Sequence, residues 1–451
     1  MFFLPNASVI RYVIMFSAMM MATSLAMAEQ AWTLSQSIQF ALQHNRMLGV
    51  SALNVQQSEA EVERATGQLL PRLDFSSGVS RTDSPLQAFG AKLQQQRVTA
   101  ADFVPGSLNH PGYVNNYQTR LGLSMPIFSG GELWAARQQA SYQAQSSSLE
   151  YSFARQRLVF QTITAFVQAR QAHAQLIVRE KAVEAAEKRW NDVQQLKQRG
   201  MAINSDVMDA NVQLLKNRVA LDAARNAWED SLDSLNQVLG REEDHRLLLA
   251  EPVLNFQNDE LAGLLQEAES KRADLQSLIE QSYAADAARK ASRSGYLPSV
   301  NLVAAQEWNS DTVGIKNRNT MMGLMVDMNL FAGGSDRARI RVAEAQAASI
   351  DMMIHDKRQQ IGNEVRQAWR AVQTAEMRAH SEAEALSQSE ESVRIKTLRY
   401  QQGLEKTSDL LASGVALDAA RESEIRARHD LILARAALML AAGQLHEGAV
   451  Q

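Results

Sequence analysis

Cysteine is absent from all 451 residues. That excludes disulfide stapling, thiolate metal sites, cysteine nucleophiles and the lipid-anchored N-terminal cysteine of a bacterial lipoprotein. Proline is scarce and unevenly placed. Its eight copies, at 5, 71, 85, 105, 111, 126, 252 and 298, leave 127–251 and 299–451 without any. Those spaces are rich in Ala, Gln, Glu, Arg, Leu and Met, which favour helix, and they predict long helices. Aromatics are few, and 46 Lys+Arg nearly balance 50 Asp+Glu, with no basic stripe carrying interleaved aromatics. The balance argues against a nucleic-acid partner. Beyond the N-terminus no stretch reaches the roughly 18 continuous apolar residues that a spanning helix needs.

One apolar run is present, at the start. Arg11 precedes Tyr12 to Ala26, and Ala26-Met27-Ala28 sets small residues at −3 and −1, so 1–28 reads as a secretory signal cleaved after Ala28.

The mature sequence is duplicated. "MPIFSGGE" (Met125 to Glu132) returns as "MNLFAGGS" (Met328 to Ser335), 203 residues later, and "QRGMAINSDVMDA" around Gly200 returns at the same offset around Gly403. "GQLLPRLDF" (Gly67 to Phe75) matches "SGYLPSVNL" (Ser294 to Leu302) at an offset of 227, so the first half holds 24 extra residues between Pro71 and Phe128. The expected organisation is a first repeat over 29–240, with a β-hairpin at 72–128 and a helical hairpin at 132–240. A connector at 241–257 follows, then a second repeat over 258–451 with hairpins at 299–331 and 335–445.

Near the hairpins the pattern changes period. Tyr117, Thr119, Leu121, Leu123, Met125 and Ile127 share one face of an extended strand, with Gln118, Arg120, Gly122 and Ser124 on the other. Met322, Leu324, Val326, Met328 and Leu330 alternate in the same way with Gly323, Met325, Asp327 and Asn329, and looser alternation runs through Leu73, Phe75, Val79 and Val300, Leu302, Ala304. Alternation over about ten residues is what a strand shows between lipid and a wet lumen. The segments 132–199 and 335–402 are each 68 residues long and carry only Gly362 as a breaker. At ~1.5 Å per residue each predicts a helix of ~100 Å. Apolar positions three and four apart (Ile361, Val365, Ala368, Val372, Ala375, Ala379; Val183, Ala186, Trp190, Val193) predict coiled-coil packing. A soluble coiled-coil scaffold or adaptor explains the helices and leaves the hairpins unexplained.

Taken together, the tandem duplication, Leu70-Pro71 and Leu297-Pro298, Phe128-x-Gly130-Gly131 and Phe331-x-Gly333-Gly334, and Gly200 and Gly403 each with an Asp six residues on resemble the TolC family of outer-membrane efflux proteins. The resemblance covers nearly the whole mature chain; Asn45-Arg46 departs from the family's Asn-Pro. It implies a mainly α protein with a membrane β-barrel. Four strands alone leave two unpaired edges in lipid, so closure requires several chains. Strand physics does not choose between three and four copies; the resemblance implies a homotrimer, a twelve-stranded barrel in the outer-membrane lipid and a periplasmic α-barrel. It further implies an exit duct of a tripartite efflux or type I secretion system, with a periplasmic adaptor and an inner-membrane pump as partners.

Several residues acquire expected roles. Gly130, Gly131, Gly333 and Gly334 are the strand-to-helix junctions, with Ser335 expected to cap its helix. Arg199, Gly200, Met201, Gln402, Gly403 and Leu404 form the two helical tips and the expected adaptor-docking points. Asp206, Asp209, Tyr400 and Asp409 are the expected periplasmic gate. Tyr400, Asp206 and Asp409 match the family's closing network, whereas Glu405 and Ala412 depart from it, so Asp209 and Lys406 are candidate replacements. The insert at 83–116, with Pro85, Pro105 and Pro111, reads as an ordered loop outside the cell. No catalytic, cofactor or metal constellation emerges. The eight His include no His-Glu-x-x-His pattern, the charged run Arg241 to Arg246 reads as solvated surface, and no Lys-Ser/Thr follows either Gly-Gly pair. The cargo is not encoded in any pattern.

Overall fold

The structure is a computed structural model that describes residues 31–242, 247–256 and 260–449. The expected signal at 1–28 lies outside the described residues, as do positions 243–246 of the charged run.

The chain opens with α1 (Leu34–His44) and α2 (Arg46–Gly67), then β1 (Arg72–Thr82), α3 (Pro85–Gln94), a 3-10 turn (Ala100–Phe103), α4 (Pro105–Asn109) and β2 (Val114–Ser129). Two long helices follow, α5 (Glu132–Gln198) and α6 (Asn204–Leu239). The second series runs α7 (Leu261–Lys271), α8 (Ala273–Ser292), a 3-10 turn (Ser294–Tyr296), β3 (Ser299–Ser310), β4 (Arg318–Asp327), α9 (Ser335–Gln401) and α10 (Thr407–Ala441). None of the described helices is long and apolar enough to cross a membrane.

Two sequence expectations need correction here. The insert is not a loop: it holds two helices, and Pro85 and Pro105 sit in their first turns. Proline is favoured there because its missing N–H has no helical partner to lose. The strand ends also differ from the expected alternation. β4 stops at Asp327, so Met328 and Leu330 lie beyond it, and a register shift between Pro126 and Phe128 places Ile127 in a bulge. Bulges interrupt strict alternation, and proline, lacking a donor, is at home beside one.

The chain divides into two compact units, neither coincident with a sequence repeat. One comprises the described residues of 1–50, 153–272 and 360–451; the other comprises 51–152 and 273–359. In the first, Ile163, Phe166, Leu235, Leu239 and Leu445 are fully buried. Its start is fixed by a reciprocal cap, in which the Gln36 N–H donates to Thr33 Oγ1 (3.2 Å) and the Thr33 N–H to Gln36 Oε1 (3.0 Å). Asn45 donates from Nδ2 to the Val238 carbonyl (2.8 Å) and accepts from the Leu48 N–H (3.1 Å), tying three helix ends. On its part of α9, Ile361, Val365 and Val372 are buried. Their spacing of four and seven is that of the a/d stripe of a coiled-coil helix.

The second unit contains the sheet. Four antiparallel strands lie in the order β1-β2-β3-β4, with registers such as Ser76↔Arg120 and Arg120↔Glu307. Beneath it, buried Ser146 and Ser277 share a hydrogen bond of 2.9 Å between α5 and α8.

Candidate channel wall, junctions and tips

The registers sort the sheet into two chemically different faces. One presents Leu73, Phe75 and Val79 of β1, Leu121 and Leu123 of β2, Leu302 of β3 and Met322, Leu324 and Val326 of β4. Many of these are bare: Phe75 is 72% exposed and Met322 76%. A water-soluble sheet would bury such a face, so its exposure marks a surface made for lipid. The opposite face carries Arg72, Asp74, Ser76, Gln118, Arg120, Ser124, Glu307 and Asn319. There Arg72 pairs with Asp74 at 2.8 Å and Arg120 with Glu307 at 3.3 Å. Ionic groups on one side of a membrane strand require a wet lumen, and this face is the candidate channel wall. Both outer strands, β1 and β4, have one edge unpaired within the described residues.

At the two junctions the backbone repeats itself closely. Gly130 and Gly131 have φ of 61° and 83°, and Gly333 and Gly334 have 61° and 86°. Two successive left-handed residues turn the chain from strand to helix, and an L side chain at either would be strained. Ala338 donates its N–H to the Gly334 carbonyl (3.1 Å) and Ala135 to that of Gly131 (3.0 Å), so the second glycine of each pair holds the cap position. Ser335 is therefore already the first helical residue and not the cap, which corrects the expectation for it. The surroundings differ. A Cβ at Gly130 would stand 2.9 Å from the Ser294 carbonyl, whereas one at Gly333 meets nothing within 4 Å. Gly295, which sequence reading passed over, is packed under Asp336 and Arg339 of α9. Its only signal was its place in the "SGYLP" phrase.

The tips share a second motif. Gly200 (φ 74°) donates to the Lys197 carbonyl at 2.9 Å and Met201 to that of Leu196 at 2.9 Å. Gly403 (φ 75°) donates to Tyr400 at 3.0 Å and Leu404 to Arg399 at 2.9 Å. Both are Schellman ends, which satisfy carbonyls otherwise orphaned at a helix terminus. Arg199 and Gln402 occupy the preceding C-cap positions, and Met201 and Leu404 are each 65% exposed.

The expected gate residues sit next to these turns. Asp206 accepts the Ile203 N–H at 3.2 Å, in the manner of an N-terminal helix acid. Thr407 Oγ1 donates to the Tyr400 hydroxyl at 3.4 Å, and the exposed Asp409 accepts from Ser408 Oγ at 3.4 Å. Asp209 is exposed, one helical turn beyond Asp206. Arg399 pairs with Glu405 at 3.1 Å, and exposed Lys406 stands at the start of α10. The structure thus places Tyr400 and Asp409 at one tip and Asp206 and Asp209 at the other. Among the described residues no group of three His, Asp or Glu is arranged to hold a metal ion.

An apolar face bare to its surroundings, an ionic opposite face, two free edges and helices too polar to enter lipid define an outer-membrane channel protomer of mixed β and coiled-coil construction. The family model for outer membrane efflux proteins matches residues 37–241 and 264–444. Outer membrane protein TolC of Escherichia coli is 22% identical over 440 residues, 93% of this chain and 83% of that protein. The toluene efflux pump outer membrane protein TtgC of Pseudomonas putida is 24% identical over 423 residues, 90% of this chain and 83% of its own. A solved membrane protein from Pseudomonas aeruginosa superposes with a TM-score of 0.80 at 19% identity, covering 91% of this chain and 92% of that one. The chain belongs to the outer membrane efflux protein family. It is an exit duct of the outer membrane with a large periplasmic part, and not an enzyme.

Proposed function

We propose that three copies of this chain close their sheets into a single barrel and work as the exit of a pump complex with a periplasmic adaptor and an inner-membrane pump. The observation that supports closure by several copies is the pair of unpaired edges on a sheet whose outer face is bare, and the number three follows the family resemblance. Exposed strand edges are not tolerated in hydrocarbon, and twelve strands enclose a passage where eight would fill with side chains. The scaffold alternative gives the bare apolar face no purpose.

Docking of the adaptor is assigned to Arg199, Gly200, Met201, Gln402, Gly403 and Leu404. What supports this is that each tip presents an exposed apolar side chain beside a glycine, the combination that lets a partner hairpin approach the backbone. The gate is assigned to Asp206, Asp209, Tyr400 and Asp409, since threefold repetition turns exposed acids near a tip into a ring.

The test uses the absence of native cysteine. Cysteines placed at Ser77 of β1 and Thr320 of β4 in the full chain are expected to cross-link neighbouring copies up to a trimer in the outer-membrane fraction. A ladder that ends at two or four, or recovery of the processed chain without detergent, would overturn the reading.

A further inference from the structure

The insert absent from the second half is folded over the polar face of the sheet. Thr82 of β1 donates from Oγ1 to Gln87 of α3 at 3.1 Å. Val114 of β2 is buried with Ala88 and Ala91 of α3. Asn319 of β4 donates to the Gln94 carbonyl at 3.1 Å. Asn319 lies in the register row of Ser76, Arg120 and Glu307, and the Thr82–Val114 row has the same strand parity, so all three are on the face of the candidate lumen wall. No row of the apolar face is involved in these contacts.

The attachment is built around one side chain. Gln95, 1% exposed, donates from Nε2 to the Asn115 carbonyl (2.7 Å) and to Asn116 Oδ1 (2.9 Å), and accepts from Arg97 at 3.1 Å. Asn116 passes the chain on to Asn309 of β3 at 2.9 Å, and Arg97 pairs with Asp311 at 2.9 Å just past the end of β3. Buried amides with several satisfied bonds specify one arrangement, because releasing the segment leaves them unpaired. The insert also has internal structure. Lys92 holds Asp102 at 2.7 Å, and that hydrogen bond, with those from Thr99, lowers the Asp102 carboxyl to about 2. Phe89 meets Phe103 edge to face with centroids 5.6 Å apart.

Its position along the strands is equally definite. β1 enters from α2 at Arg72 and β2 leaves to α5 at Ser129, so Thr82 and Val114 are at the end remote from the helices. A helix laid across the lumen face at that end takes up cross-section at the outer mouth.

We propose that residues 83–113 form an inward-folded cap that narrows the exit and sets the size of solute able to pass between the cell exterior and the lumen. The proposal rests on the trimeric-barrel reading, and the experiment separates the two. In the full-length protein in intact cells, single cysteines are placed at Ser124, on the lumen face below the cap, and at Val313, in the β3–β4 turn. They are labelled from outside with maleimides of increasing polymer size. Val313→Cys is expected to react with every size and Ser124→Cys only with small ones. Gln95→Ala, or replacement of 84–112 by a short Gly-Ser linker, is expected to shift the cutoff at Ser124→Cys to larger polymers. Equal reaction of Ser124→Cys with all sizes in the otherwise unaltered chain overturns the cap, whatever the variants do. An unchanged cutoff in the linker variant, with Val313→Cys still reactive, also overturns it. Failure of Val313→Cys to react with any reagent from outside overturns the barrel reading itself.

Discussion

The guanidinium of Arg189 on α5 lies flat against Gly414 of α10, where an added Cβ would stand 2.8 Å from Arg189 Cζ. Burial lowers the pKa of Arg189 and raises that of Asp418, one turn along α10, while each partner's charge opposes its neighbour's shift. Replacing an interior helix glycine by alanine ordinarily stabilises by about 1 kcal/mol. Here part of that gain should be lost, because the guanidinium must first shift, a move that the far end of a flexible side chain makes at modest cost. Gly414→Ala should therefore raise the urea midpoint by less than the ~1 kcal/mol of an unobstructed site, and Gly414→Ala in an Arg189→Ala background should show the full gain. A large loss of stability for Gly414→Ala alone would show that the arginine is held in place.

The junctions provide a matched pair. Gly130→Ala and Gly333→Ala both force alanine to positive φ, at about 1–2 kcal/mol each, yet only Gly130 is pressed against the Ser294 carbonyl, at 2.9 Å from an added Cβ. Gly130→Ala should therefore give the lower thermal midpoint in detergent. Equal midpoints would mean that the Ser294 turn yields.

At the tips, conformation and docking are separable because asparagine tolerates the left-handed region. Gly200→Asn and Gly403→Asn should preserve oligomers in the outer membrane while removing adaptor cross-linking and export. Retained export would leave both glycines as helix ends alone.

The acid ring is tested by conductance. Asp209→Ala with Asp409→Ala is expected to reduce cation selectivity of reconstituted channels and to weaken block by multivalent cations. Asp206→Ala should in addition lower stability, by about 0.5–2 kcal/mol, since its carboxylate also takes the Ile203 N–H. Unchanged selectivity and block in the double variant would reduce Asp209 and Asp409 to helix-start acids.

His429 predicts a pH dependence. It is 1% exposed on α10, donates from Nδ1 to the Ile425 carbonyl at 2.7 Å, and is pushed below its usual 6.5 first by burial. Arg428 and Arg170 lower it further, while the Ile425 hydrogen bond and Glu251 act to raise it. A histidine kept neutral by the fold contributes stability that is fully present above about pH 6.5 and is lost as pH falls through that value towards the lower folded one. His173, lowered chiefly by burial, adds the same sign. The thermal midpoint should fall on acidification below about pH 6.5, and His429→Gln with His173→Gln should flatten that slope. An unaltered slope would place the acid sensitivity elsewhere.

Much of this protein follows from local chemistry. Proline-free runs fixed the long helices, the a/d spacing of Ile361, Val365 and Val372 fixed their buried stripe, and period-two alternation separated Leu121 and Leu123 from Arg120 and Ser124. The duplicated glycines marked both kinds of turn, because left-handed backbone admits few other residues. The tertiary structure alone decided what depends on distant partners. Proline at 85 and 105 reads locally as a break, yet the same ring starts a helix once the chain around it commits to one. Ile127 shares its sequence parity with Met125 and loses it to a bulge that only the partner strand reveals. Asn116 meets Asn309 and Asn319 meets Gln94 across separations of 193 and 225 residues, and those contacts turn the insert inward over the lumen face. Periodicity reports which face of an element is apolar; it carries no information on which distant segment will come to lie on the polar one.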